Sequence, residues 1–153
     1  LPVPSLLALA EEARFHQQCA ARGPDLTVVS LLDARMGEVY AAVYAWRAGQ
    51  WDTLRSPCLI SPTQAAMWLA DMPADTVVAG NALTAYAPVL GGYSGPALPA
   101  LVPTAQAIVR LAPAMLAAGL AVDAADALPL YVRDKVAQTT LEREAAAQFK
   151  RDA

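Results

Sequence analysis

Few side chains in this sequence are of the kind that break or transfer bonds. A hydrolase needs a nucleophile within reach of a base, and the chain has one histidine, His16. It lies in FHQQ (15–18) with no Ser or Cys motif beside it, so a plain helical surface position is expected rather than a catalytic one. The two thiols, Cys19 and Cys58, are far apart and lack C-x-x-C spacing, which reads as an ordinary reduced pair. One His and two scattered Cys do not complete a four-ligand structural zinc site. Neither G-x-x-x-x-G-K-[ST] nor G-x-G-x-x-G occurs. No catalytic residue and no metal ligand is assigned, and catalysis by the chain alone is not expected.

Two stretches remain. LLDARMGEVYAAVY (31–44) places Asp33, Arg35 and Glu38 within six positions around Gly37. As architecture, Asp33 would accept backbone N–H bonds across a hairpin turn, Gly37 would supply a positive φ and Arg35 would pair with Glu38. As chemistry, a glycine-bearing turn with exposed amides is also a form in which backbone cradles a phosphate oxygen. VVAGNA (77–82) has the same two readings. Gly80-Asn81 either lets a ligand approach the backbone or lets Asn81 cap a helix.

The elements that would position these residues follow from periodicity. Ser5 is expected to cap a helix running to about Arg22, with Leu6, Leu9, Ala10, Ala13 and Cys19 on one face. Glu11, Glu12, Arg14 and Gln18 lie largely opposite, and Gly23-Pro24 stops the helix. LTVVSLL (26–32) is apolar on both faces, as a doubly covered central strand requires. EVYAAVYAW returns antiparallel, Tyr40, Tyr44 and Trp46 sharing one face and Val39, Ala41 and Val43 the other. After a turn at Ala48-Gly49-Gln50, WDTLRSPCLI forms a third strand, with Pro57 at an edge or a bulge. Ser61-Pro62 opens a helix ending near Pro73. DTVVAG is a fourth strand, followed by a helix over 81–90, a loop over 91–103 and a helix over 104–118 that Pro113 kinks or divides. Residues 127–136 cross the surface extended, and the polar, alanine-rich tail 138–153 is short for an independent helix. Three antiparallel strands, then helix, strand and helices, make an α/β (α+β) fold with a hairpin-built sheet.

Composition narrows the function classes. The chain has 153 residues, 56% hydrophobic and 16% charged, with a formal charge of −3, which suits one packed unit rather than a disordered segment. No basic run offers a grip on nucleic acid, so any RNA would be held through a partner. Arg110, Pro113 and Gly119 interrupt the best apolar stretch, so no membrane span is expected. LPVPSLLALAEEAR lacks a basic region ahead of an apolar core and does not read as a signal peptide, while Leu1 reads as an internal position.

DARMGEVYAAVY, the later VVAGNA and ALPLYVRDKVA near the end resemble, in that order, the C-terminal lobe of the bacterial TsaB (YeaZ) family. The likeness runs from SLLALAEEA to about Thr140. It implies an RNase-H-like lobe of the actin-like ATPase and sugar-kinase superfamily, occupying residues 1–137 with 5–22 as its linking helix. It also implies a role as non-catalytic partner of a TsaD-like threonylcarbamoyltransferase and a TsaE-like ATPase in making N6-threonylcarbamoyladenosine on tRNA, in the cytoplasm. In ATP-binding members the first hairpin of this lobe holds phosphate and a later Gly-containing turn faces adenosine. Asp33, Arg35, Gly37 and Glu38 resemble the first place in degraded form, and Gly80 and Asn81 the second. No cofactor of the chain's own is implied, with ATP or ADP expected only at an interface shared with a partner. Nothing here matches the family's N-terminal lobe, with its Asp-Thr-x-Thr strand and Gly-Pro-Gly-Ser-Phe-Thr-Gly loop, so the likeness is to one lobe.

The surfaces expected to meet a protein partner, or a second copy in a homodimer, are the first helix, the tail and the face of Tyr40, Tyr44 and Trp46. Against that, aromatic area on a strand is ordinarily core. Arg133 and Lys135 could meet RNA or an acidic partner, or be a solvated charged segment. A nucleotide-binding module with a degenerate ATPase site and a glycoprotease-like hydrolase are the alternative functions, the second disfavoured by the single histidine.

Overall fold

Two hairpins generate the sheet. The computed structural model describes residues 1–18 and 25–133. The expected continuation of the first helix to Arg22, Cys19, Lys135 and the tail 138–153 lie outside the described residues. Strands β1 (Leu26–Arg35), β2 (Glu38–Arg47) and β3 (Gln50–Ile60) run antiparallel in succession. Each connection is a two-residue turn with both residues left-handed, Met36-Gly37 (φ 57° and 76°) and Ala48-Gly49 (φ 49° and 83°). That geometry matches the right-handed twist of the flanking strands. Glycine holds the second position at no steric cost, while Met36 and Ala48 hold the first at some. β3 is an edge strand whose register against β2 slips between Ala41 and Val43 and again between Val43 and Tyr44. Pro57 falls beside the first slip, where its missing N–H costs the ladder nothing.

A crossover adds β4 (Val77–Ala79), parallel to β1, and then β5 (Ala97–Leu98), parallel to β4, giving the order β3-β2-β1-β4-β5. β5 lies inside the expected loop over 91–103. It is two residues long, too short for any periodicity, and is recruited by hydrogen bonds from Val78 N–H to Pro96 O (2.9 Å) and Gly80 N–H to Leu98 O (3.1 Å).

Both faces are covered, as the apolar run of β1 requires. Helix α1 (Ser5–Gln18) lays Leu6, Leu9, Ala10 and Ala13 on Val28, Ala42, Tyr44 and Val77. Helix α5 (Ala105–Ala117) packs beside it through Ala107 and Leu111. On the other face α2 (Pro62–Ala70), α3 (Ala82–Ala85) and α4 (Ala87–Leu90) enclose Val29, Leu31, Val39, Ala41 and Val43. α2 starts with a capping box in which Ser61 Oγ accepts from Gln64 N–H (3.2 Å) and Gln64 Oε1 from Ser61 N–H (3.0 Å).

Three expectations are corrected. Ser5 is the first residue of α1 rather than its cap, because the Pro4 carbonyl already accepts from the amides of Leu7 and Ala8. The helix over 81–90 is two single turns broken at Tyr86 (φ −121°, ψ 33°), since Pro88 has no N–H to return to the preceding turn. α5, by contrast, is one helix and not two shorter ones, passing through Pro113 with that residue on its exposed side.

Glu11, expected on the outer face of α1, is 1% exposed. Its carboxylate accepts from Arg14 (2.7 and 2.8 Å), from Trp51 Nε1 of β3 (3.0 Å) and from Arg110 Nε of α5 (3.1 Å). Arg110 also bonds Glu12 Oε2 (2.5 Å), to which Thr104 Oγ1 donates at 2.8 Å. The cations stack as well, Arg14 4.2 Å from the Trp46 ring centre and Arg110 4.3 Å from that of Phe15. Burial works to raise the Glu11 pKa, and the donors from Arg14, Trp51 and Arg110 outweigh it, so the net shift is downward.

A depressed folded-state pKa stabilises the fold above the carboxylate's ordinary value of 4.5, and that contribution is lost as pH falls below it. Glu11→Ala, which leaves two half-buried guanidinium groups short of a partner, is expected to cost about 3–5 kcal/mol in urea unfolding at pH 7. Between pH 5 and pH 3 the wild-type chain should lose more stability than Glu11→Gln; equal losses would show that Glu11 is not the group responsible.

Candidate functional site

Parallel pairing brings the two candidate loops together. β1 and β4 point the same way, so the hairpin after β1 and the Gly80-Asn81 turn after β4 emerge at one edge of the sheet. Gly80 has φ +118°, and a Cβ there would sit 2.1 Å from the Leu31 carbonyl oxygen. Only glycine allows that approach. The next residue then reaches the hairpin, and Asn81 Oδ1 accepts from Asp33 N–H at 2.9 Å. Asn81 does stand at the N-cap position of α3, its carbonyl accepting from the amides of Thr84 and Ala85, but its side chain makes no cap bond and is turned to the hairpin instead.

Asp33 organises the tip. Its Oδ1 accepts from Arg35 N–H (2.9 Å) and from the Tyr86 hydroxyl (2.8 Å), and its Oδ2 lies 3.3 Å from Arg35 Nη1. The same hydroxyl stands 3.1 Å from Glu38 O, so one phenolic proton serves both strands of the hairpin. The Arg35 amide first, then Tyr86, hold the Asp33 carboxyl below its usual range, and Asp33 in turn raises the Tyr86 phenol. The expected Arg35–Glu38 pair is not formed. Arg35 is left-handed (φ 65°) at a slip in register between Asp33 and Arg35, which turns its largely exposed guanidinium back to Asp33.

Glu38 instead meets Arg133. Its Oε2 is 2.8 Å from Arg133 Nη2. That guanidinium also donates to Ala34 O (2.9 Å) and Arg35 O (3.4 Å) and contacts Met36 Sδ (3.2 Å). Arg133, expected at a partner or RNA surface, is thus mostly covered and spent on the hairpin tip.

The aromatic face is also redistributed. Tyr40, Tyr44 and Trp46 do share a face, but α1 lies over it, and Tyr44 is 2% exposed within that core. Among the described residues its hydroxyl has no partner, and burial pushes the phenol strongly upward. Trp46 sits between Arg14 and Trp51, 5.4 Å from the latter's ring. Tyr40 alone reaches a groove, beside Leu6 and Pro57.

The chemistry these positions support is limited and specific. The amides of Asp33 and Arg35, which a bound phosphate would want, already donate to Asn81 and Asp33, beside a carboxylate that repels an anion. His16 stands exposed on α1. Burial raises the Cys58 thiol, which lies 3.7 Å from Ala41 O. Among the described residues no group of three His, Cys, Asp or Glu side chains is placed to hold a metal ion. Tyr86, which ties the site together, escaped the sequence reading because nothing local marks it.

No protein-family model matches the chain, and no curated protein does. Among solved structures it is similar to YeaZ from Pseudomonas aeruginosa, with TM-score 0.71 and 28% identity over 86% of this chain and 57% of that one. It is also similar to an uncharacterized protein with similarity to peptidase YeaZ from Pseudomonas aeruginosa, with TM-score 0.70 and 29% identity over 87% of this chain and 58% of that one. The chain therefore spans less than two thirds of the length of these neighbours. They bear out the resemblance to YeaZ and the actin-like, RNase-H-like character of the mixed α/β fold.

Two substitutions test the site's construction. Gly80→Ala is expected to destabilise the chain by about 3 kcal/mol in denaturant unfolding, through φ strain and the clash with Leu31 O. Tyr86→Phe should raise the Asp33 carboxyl pKa towards its ordinary value in an NMR titration. Because a depressed Asp33 pKa stabilises the fold above about pH 4 and that stability fades on acidification, the variant should lose less stability than wild type as pH falls.

Proposed function

We propose that this chain is a non-catalytic accessory lobe of the machinery that makes N6-threonylcarbamoyladenosine on tRNA. It acts in the cytoplasm beside a TsaD-like transferase and a TsaE-like ATPase and meets tRNA through them. The observation that carries the reading is the likeness to YeaZ structures, at 28–29% identity and TM-scores of 0.70–0.71 over nearly nine tenths of the chain. The arrangement at the hairpin tip supports it. The polar groups there bond one another, as a scaffold's would, and a nucleotide is best accommodated only where a partner adds donors. Hydrolysis is the weaker reading, because the lone histidine stands exposed on a helix with no nucleophile motif beside it.

The test is reconstitution with the transferase and ATPase of the same source, with digested tRNA nucleosides read by mass spectrometry. The immobilised chain, or the longer protein that carries it, should retain the transferase, and product should depend on adding it. The chain alone should form no modified nucleoside and cleave no peptide. Product or peptide cleavage from the purified chain by itself, or a reaction indifferent to its presence, would overturn the proposal.

A further inference from the structure

Arg133 does two jobs at once. The left-handed residues Arg35 and Met36 rotate the hairpin tip out of the β-ladder, and the Ala34 and Arg35 carbonyls are met from outside by the Arg133 guanidinium, which also bonds Glu38. Among the described residues the segment bearing that guanidinium has little other hold. Residues 127–133 follow a single 3-10 turn at Ala124–Asp126. Among the described residues the segment's backbone bonds are local, Ala127 N–H to Ala124 O and Leu128 N–H to Asp126 O. Leu128, Leu130 and Tyr131 are 74%, 65% and 84% exposed. Yet the segment forms one wall of an apolar groove of about 640 Å³, whose other walls include Val3, Leu6, Tyr40 and Pro57.

We propose that residues 127–133 are a strap whose clasp among the described residues is Arg133 on the hairpin tip, and that releasing this clasp frees the strap and opens the groove. The clasp couples two places. Whatever draws Arg133 away from Glu38 and the two carbonyls loosens the strap, and whatever displaces the strap uncaps the tip where Asp33, Asn81 and Tyr86 converge. Linkage makes the two effects equal in size. The contacts favour such a device because a forked guanidinium on a carboxylate and two carbonyls is strong and directional, whereas the rest of the strap has no regular secondary structure and is mostly exposed.

Limited chymotrypsin digestion of the full chain reads the strap directly. A protease needs several residues free on both sides of the cut, so cleavage after Tyr131 follows the population of released strap, and cleavage after the buried Tyr44 follows global unfolding. Arg133→Ala should speed the Tyr131 cut about tenfold, since it removes several charge-assisted bonds. Glu38→Gln, which keeps the carbonyl contacts, should speed it less, and in both variants the Tyr44 cut should stay at the wild-type rate. Binding of 8-anilinonaphthalene-1-sulfonate should rise in the same order as the groove opens. A Tyr131 cut at the wild-type rate in Arg133→Ala would overturn the proposal. So would a Tyr44 cut that rises in step with it in Glu38→Gln, the milder variant, since that marks general unfolding rather than release of a strap.

Discussion

The parallel pairing of β1 with β4 is the constraint from which the site follows. It sends two loops 48 residues apart in sequence out of the same edge of the sheet, with the Asp33 amide against the Asn81 side chain. It works only because Gly80 has no Cβ to strike the Leu31 carbonyl. Once Asn81 holds the Asp33 amide, the Asp33 carboxylate is oriented to accept from Arg35 and Tyr86, and Tyr86 reaches Glu38 across the hairpin. Removing the close approach at Gly80 would therefore disturb groups that never touch it.

The opposite face is held by a different device. Glu11 gathers Arg14, Trp51 and Arg110, and so joins α1, the edge strand β3 and α5 through one carboxylate. Burying such a group is costly, and an apolar residue of similar volume could hold the elements as firmly. What the carboxylate adds is direction. Its lone pairs accept donors along fixed lines, so α5 docks on α1 in one rotation rather than sliding over an alanine-rich surface. The single arginine of α5 is turned inward to Glu11 and Glu12, and the helix's outer side leaves Ile108, Val109 and Leu116 exposed.

The hairpin tip shows how a loop that could face a ligand can be consumed by its own structure. Consecutive left-handed residues leave backbone groups outside the ladder, and each of those described here finds a side chain: Asn81 for the Asp33 amide, Asp33 for the Arg35 amide, Arg133 for the Ala34 and Arg35 carbonyls. The neighbours of known structure extend well beyond the part that this chain covers.

By itself the sequence determined what local physics controls. The apolar runs marked β1 as doubly covered, alternation assigned Tyr44 and Val43 to opposite faces, glycines located both left-handed turns, Ser61-Pro62 opened α2, and the hairpin motif pointed to YeaZ. Only the tertiary structure decided which charges met. Helical spacing put Glu11 outside because Arg110, which covers it, comes 99 residues later, and Arg35 lost Glu38 to Arg133 for the same kind of reason. A side chain's rotamer, burial and partner are set by whatever packs on it from elsewhere in the chain, and no window of neighbouring residues contains that information.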